Sequence, residues 1–366
     1  MKDRDYSVDI IRIIATFIVV ATHVKLSWIV DDVINNQKLF YACLWADGVS
    51  LFFLITGFFL FNGRSYGHII KKTIKSIIFP VLIVAIFSQM ISPWIRDSRL
   101  IGGLSLQIPF ENLLRAILKQ SAGDVDFCFH FWYIFTYLKV ILFMPLLKWI
   151  CQEGKEQTIS RRVLIGLSIV DVGVRNFREF IPIEINLYSF FDVAVLLVII
   201  GYEISVNKDK IKSNITIRFA SGFLCLTLLL FRFYSQKKLY AVNIDDSTFI
   251  NWDSIFGIIM SSLFFVFIYS ININQLIVKT KNIIFILSEI SFYIYLIHVI
   301  VYFKLESMGI RTKIVNYFDK SVIGITVFNI VYPLIVMCIC AFLSFLYYLI
   351  KKKVKKFLCI REIQKK

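Results

Sequence analysis

The sequence predicts an all-α fold: a polytopic transmembrane helical bundle of about ten helices, with N- and C-termini both cytoplasmic. Three observations predict it. Hydrophobic residues make up 58% of the chain and charged residues only 18%, a balance that leaves a soluble domain too little polar surface but that a bilayer tolerates. The apolar residues run in stretches of about twenty, the length a helix needs to cross a hydrocarbon core of ~30 Å. The basic residues collect between those stretches, with an excess on the side of the N-terminus.

The apolar runs cover 8–29, 39–62, 74–95, 129–151, 163–175, 185–206, 216–234, 253–271, 283–303 and 321–350. In lipid the backbone must satisfy itself within each segment, so the runs should be helices. The first carries an arginine and no small-residue cleavage site, so it reads as a retained membrane helix and not a signal peptide. The fifth is short and contains Asp171. The last is long enough to tilt or to continue past the bilayer. With the N-terminus inside, 24 of the 41 lysines and arginines fall on the cytoplasmic side, 14 on the other, and three within or at the ends of spans. Removing one span would reverse that bias at the tail. Residues 1–350 therefore read as one membrane domain and 351–366, opening with KKKVKKF, as a basic cytoplasmic tail.

The loops are informative in two places. The long outer one, 96–128, contains PFENLLRAILKQ, whose helical spacing suits a segment lying along the membrane surface. Residues 236–252 are polar. The net charge of +16 would suit nucleic acid if it were clustered, but it follows membrane topology, so no nucleic-acid partner is expected. The seven cysteines show no CxxC pair and no zinc spacing with the histidines, so no metal is expected. They read as small buried hydrophobes.

Ionisable residues inside spans are costly and become functional candidates. The first helix has Arg12 and His23, eleven residues apart, which is close to three turns, so they share a face with a rise of about 16 Å between them. An arginine fork suits an anion; a histidine exchanges protons near neutral pH. The bland alternative has Arg12 snorkelling to headgroups and His23 bonded to a neighbouring helix. In the second run, GVSLFFLITGFFLF, Gly48 and Gly57 permit close helix approach, and Asp47 stands ready to pair with a cation in the bundle. Arg64, Lys71, Lys72 and Lys75 form a basic cluster at the mouth of the third run, either a topological anchor or a docking site for the phosphates of a cosubstrate. His130 sits beside Trp132 at the outer boundary of FCFHFWYIFTYLKVILFMPLL. In LSEISFYIYLIH, Glu289 and His298 are two and a half turns apart and face different directions, so at least one should point into the bundle.

Arg12 and His23 with ten residues between them, GVSLFFLITGFFL, the basic cluster leading to Pro80, HFWYIFTYLKVILFMPLL and SFYIYLIH occur in an order and spacing that resemble the acyltransferase family 3 membrane proteins, and within them the surface-polysaccharide O-acyltransferase branch. The resemblance covers nearly the whole chain, most weakly between 152 and 280. It implies an enzyme of the bacterial cytoplasmic membrane that moves an acyl group, commonly acetyl, from acetyl-CoA to a hydroxyl of a cell-envelope glycan or its lipid-linked precursor. Acetyl-CoA would be a cosubstrate, with no permanently bound cofactor. His23 matches the family's essential histidine and would be the general base; Arg12 matches its paired arginine and would contact the acyl-CoA. Lys72 and Lys75 stand where the family often has two arginines, with Arg64 and Lys71 beside them. His130, Trp132, Glu289 and His298 would serve the substrate, His298 being the least expected to do chemistry. The competing reading is a transporter or flippase-like protein for an amino acid or glycan precursor, its buried charges lining a pathway.

Overall fold

The computed structural model describes residues 4–30, 33–61, 63, 65–96, 110–119, 123, 125–180, 192–242, 246–271, 280–319 and 321–363. The helices are α1 (Tyr6–Val24), α2 (Asn36–Leu44), α3 (Gly48–Leu60), α4 (Tyr66–Thr73), α5 (Phe79–Arg96), α6 (Phe110–Lys119), α7 (Trp132–Ile150), α8 (Lys155–Asn176), α9 (Val193–Val206), α10 (Lys208–Ser213), α11 (Ile215–Val242), α12 (Ile255–Ser270), α13 (Lys281–Ser307), α14 (Ile310–Phe318) and α15 (Val322–Ile363). The only strands among the described residues form a small antiparallel pair, with Ile29 opposite Ile34 and Val30 opposite Val33.

Among the described residues, eight helical segments are long and apolar enough to cross a membrane. They correspond to eight of the ten runs. The other two differ for physical reasons. Run 163–175 lies inside α8, where Arg161, Arg162, Asp171 and Arg175 dilute the apolar character. Of run 185–206 the structure describes α9, which has 14 residues.

The second run is broken between α2 and α3. Asp47 is buried at the break and meets Arg232 of α11, whose Nη1 lies 2.9 Å from both carboxylate oxygens. The same guanidinium donates to the carbonyls of Cys43 (3.1 Å), Phe249 (2.6 Å) and Asn251 (3.3 Å). It thereby satisfies the end of α2, whose last carbonyls have no partner within the helix. The third run contains a different irregularity. Between α4 and α5, residues Ile74–Ile78 form a π-helical turn, closed by a bond from Phe79 N to Ile74 O. Pro80 follows one residue later, after Phe79, and has no N–H to give, so the widened turn accommodates a donor missing from the helical ladder.

The interior is layered around α3. Gly57 lies against the backbone of Val198 and Gly201 against that of Leu54. A Cβ at either position would strike a carbonyl of the facing helix, so α3 and α9 approach backbone to backbone. The larger apolar core joins α1, α3, α7, α9, α11 and α12; a second joins α1, α13 and α15. Arg12 of α1 meets Ser288 of α13 and His23 meets His298, so α1 and α13 run in the same direction. This agrees with the parity of the first and ninth runs. Arg4 bonds Glu289 and Lys351 of α15 bonds the Tyr293 hydroxyl, both on α13, so the N-terminal segment and the last helix reach one end of the bundle. Helix α6 exposes Leu114, Ile117 and Leu118 while burying Ala116, the character expected of a helix lying in the membrane interface.

Candidate active site

Arg12 and His23 of α1 mark the ends of a column of side chains packed between α1, α3, α7 and α13. At the lower end, Arg12 Nη1 donates to Ser288 Oγ (2.7 Å) and to Asp9 Oδ1 (3.2 Å), while Ser288 donates to the same Asp9 oxygen (2.7 Å). Arg4 grips Asp9 through both of its oxygens (2.5 and 3.1 Å) and reaches Glu289 (3.1 Å). Two guanidinium groups thus share Asp9, and Arg4 alone also holds Glu289. Asp9 is buried and Arg12 is about a quarter exposed (26% of its side chain), its bonds to Asp9 and Ser288 both leaving from Nη1.

Between the ends the wall is aromatic. Tyr133 packs on Phe53 (5.0 Å between ring centroids), Tyr295 (5.7 Å) and Tyr137 (6.3 Å).

At the upper end three of the four histidines converge. His23 occupies the last turn of α1; His130 sits in the short 3₁₀ turn Phe129–Phe131 that leads into α7; His298 faces inward from α13. Ring centroids are 5.1 Å apart for His23 and His298, 4.7 Å for His130 and His298, and 6.2 Å for His23 and His130. One carbonyl organises the set. Tyr295 O receives His298 Nδ1 at 2.7 Å and His130 Nε2 at 3.1 Å. A carbonyl can only accept, so both nitrogens carry hydrogen, and the tautomer of each neutral ring follows. The Tyr295 hydroxyl returns a bond to His130 O at 2.6 Å. The remaining nitrogens, His130 Nδ1 and His298 Nε2, are buried without a hydrogen-bond partner. His23 is the least enclosed of the three. Among the described residues no group of three or more His, Cys, Asp or Glu is arranged to hold a metal.

The other residues singled out by the sequence are dispersed. Glu289 lies at the Arg12 end, 43% exposed and bonded to Arg4, away from the histidines. Of the Glu289 and His298 pair, His298 is the one inside. Trp132 turns away from the histidines and stacks on Trp252 at 5.3 Å. Lys71, Lys72 and Lys75 are exposed along α4 and the π turn, and Tyr66 of the same helix reaches Leu142 O of α7, which puts α4 beside the descending half of α7. Arg64 lies outside the described residues. Asp171 is buried against Arg175 (2.9 Å). Sequence reasoning passed over Asp9, Ser288 and Tyr295. Only Asp9 carried a signal: a carboxylate one turn before an arginine in an apolar helix.

Fold and column together define a multi-pass membrane protein with ionisable groups enclosed in its bundle. The family profile for acyltransferase family 3, described as an acyltransferase domain, matches residues 5–349. The chain belongs to that family and is a membrane acyltransferase. No curated protein and no solved structure matches the chain.

Proposed function

We propose that this acyltransferase takes an acetyl group from acetyl-CoA on the cytoplasmic face of a bacterial cytoplasmic membrane and delivers it to a hydroxyl of a cell-surface glycan or its lipid-linked precursor. The observation that carries the reading is the column itself, with a partly exposed arginine at one end and a histidine cluster at the other, both on the face of α1 that meets α13. His23 is the general base. A sugar hydroxyl is a weak nucleophile, and a positioned base that removes its proton during attack contributes typically 10²–10⁴-fold. The hydroxyl attacks the thioester carbonyl, its proton passes to His23, and the C–O bond forms. The tetrahedral intermediate collapses, the C–S bond breaks, and His23 returns the proton to the CoA thiolate. The charge carried by His23 in between lies in the last turn of α1, where the carbonyl end of the helix favours a cation.

Arg12 lies about 16 Å along the helix axis from His23, too far to touch the reacting carbonyl. Its role is to hold the coenzyme, with the uncharged pantetheine arm threading the aromatic wall toward the histidines. The exposed lysines of α4 and the π turn meet the nucleotide phosphates as point charges, without the two-pronged geometry of arginine.

The test is transfer of label from [¹⁴C]acetyl-CoA into the glycan fraction of membranes bearing the wild-type chain or His23→Ala at matched abundance. Label with the wild type and none with the variant is expected. Wild-type incorporation no higher than in membranes lacking the chain would overturn the acetyltransferase reading; undiminished label in the variant would remove His23 as base.

A further inference from the structure

Two buried nitrogens without partners, His130 Nδ1 and His298 Nε2, stand at the place where His23 would do its work. A buried acceptor left unsatisfied is costly, so a fold that keeps one beside a reacting group invites a donor. Geometry selects between them. His298 Nε2 takes no bond from His23 in the structure; a turn of the His23 ring can form one where the centroids already lie near the distance of about 5 Å that an edge-to-edge N–H···N pair requires, a heavy-atom distance of about 2.9 Å plus two ring radii. His23 and His298 are at 5.1 Å, whereas His23 and His130 are at 6.2 Å. His298 is also fixed in the required form. Its Nδ1–H is committed to Tyr295 O at 2.7 Å, so its Nε2 presents a lone pair, and full burial holds the ring in place.

We propose that His298 is the positioning residue of the base, its Nε2 accepting an N–H of His23 and so turning the other His23 nitrogen toward the acceptor hydroxyl. This rests on His23 being the base. The bond strengthens when His23 takes the proton, because a charged donor makes a stronger hydrogen bond than a neutral one. It therefore acts on the transition state more than on the bound substrate. His298 stays neutral throughout and touches neither coenzyme nor glycan. His130, tied to the same carbonyl, packs against His298 and completes its enclosure.

Two conservative variants separate this role from a structural one. Asn keeps a donor near the Nδ1 position, and so the tie to Tyr295, but has nothing at the Nε2 position. Gln reaches the Nε2 position with an oxygen acceptor but gives up the tie. Label incorporation from [¹⁴C]acetyl-CoA into membrane glycans is followed at varied acetyl-CoA, with each variant checked for monodisperse elution in detergent. The expected result is that His298→Asn lowers kcat on the order of 10²-fold with KM for acetyl-CoA unchanged, while His298→Gln recovers most of the loss. A purely structural role gives the reverse order, Asn tolerated and Gln damaged, and that order would overturn the proposal. So would wild-type kcat in His298→Asn, or equal losses in both variants. His23→Ala is run in parallel. If it abolishes label while His298→Asn does not, only the present proposal falls; if His23→Ala retains label, the assignment of the base falls and this proposal with it.

Discussion

Replacing Arg232 by methionine should be the most destabilising single change at the break between α2 and α3, and its size can be worked out from contacts. Arg232 is fully buried and supplies Asp47 with two bonds of 2.9 Å, besides donating to three backbone carbonyls. Methionine fills much of the stem's volume but leaves the Asp47 carboxylate buried and unpaired, which costs about 3–5 kcal/mol. The carbonyls add less. Those of Phe249 and Asn251 retain bonds from Ser254, so only Cys43 O loses a donor of consequence, worth about 1 kcal/mol. A total near 5 kcal/mol follows. The double variant Asp47→Leu/Arg232→Met removes the stranded charge and should recover about 3 kcal/mol of it. Reversible unfolding in mixed detergent–SDS micelles, followed by tryptophan fluorescence, measures both. A loss under about 1 kcal/mol for Arg232→Met, or a double variant no more stable than the single one, would refute the reasoning that an unpaired carboxylate dominates at this break.

Other outcomes follow from the same structure. Gly201→Val drives a side chain into the Leu54 carbonyl at the α3–α9 contact, and should cost about 3 kcal/mol and broaden elution on size exclusion; a wild-type profile would show that the two backbones can part. Asp9→Asn preserves shape but removes the charge that aligns Arg12, so KM for acetyl-CoA should rise about tenfold, one charge-assisted bond, with kcat little changed in initial-rate assays. Lys71→Ala/Lys75→Ala alters exposed residues only. Stability should stay within about 0.5 kcal/mol, while KM rises at low salt by a factor that shrinks toward 1 M salt; an effect insensitive to salt would argue against phosphate docking.

Much of the bundle is legible in the chain because a bilayer simplifies the code: length and hydropathy mark most spans without knowledge of their partners. Spacing within one helix is equally transparent. Arg12 and His23 do face the same neighbour, Glu289 and His298 do diverge, and Asp47 does find a cation. What spacing cannot supply is which helices become neighbours. His130 and His298 are 168 positions apart, and only the seating of the turn before α7 against α13 hangs both on the Tyr295 carbonyl. Backbone acceptors carry no sequence signature, so Tyr295 was invisible as an organiser. The same limit hides α8, whose Arg161 is drawn inside to cap the carbonyls of Ile150 and Gln152 (2.9 and 2.8 Å) although its charge reads as surface.

The π turn before Pro80 carries a consequence for how the lysines are aimed. A residue added to an α-helix advances everything beyond it by about 100° around the axis. Holding one extra residue within Ile74–Ile78 therefore sets the azimuth of α4 independently of α5. Helix α5 can keep its apolar stripe against α13 while α4 presents Lys71 and Lys72 on a bearing that an unbroken helix would forbid. Deleting a single residue from the turn would act like moving a dial by one notch: the span would survive, and the basic face would swing by roughly a quarter of a circle.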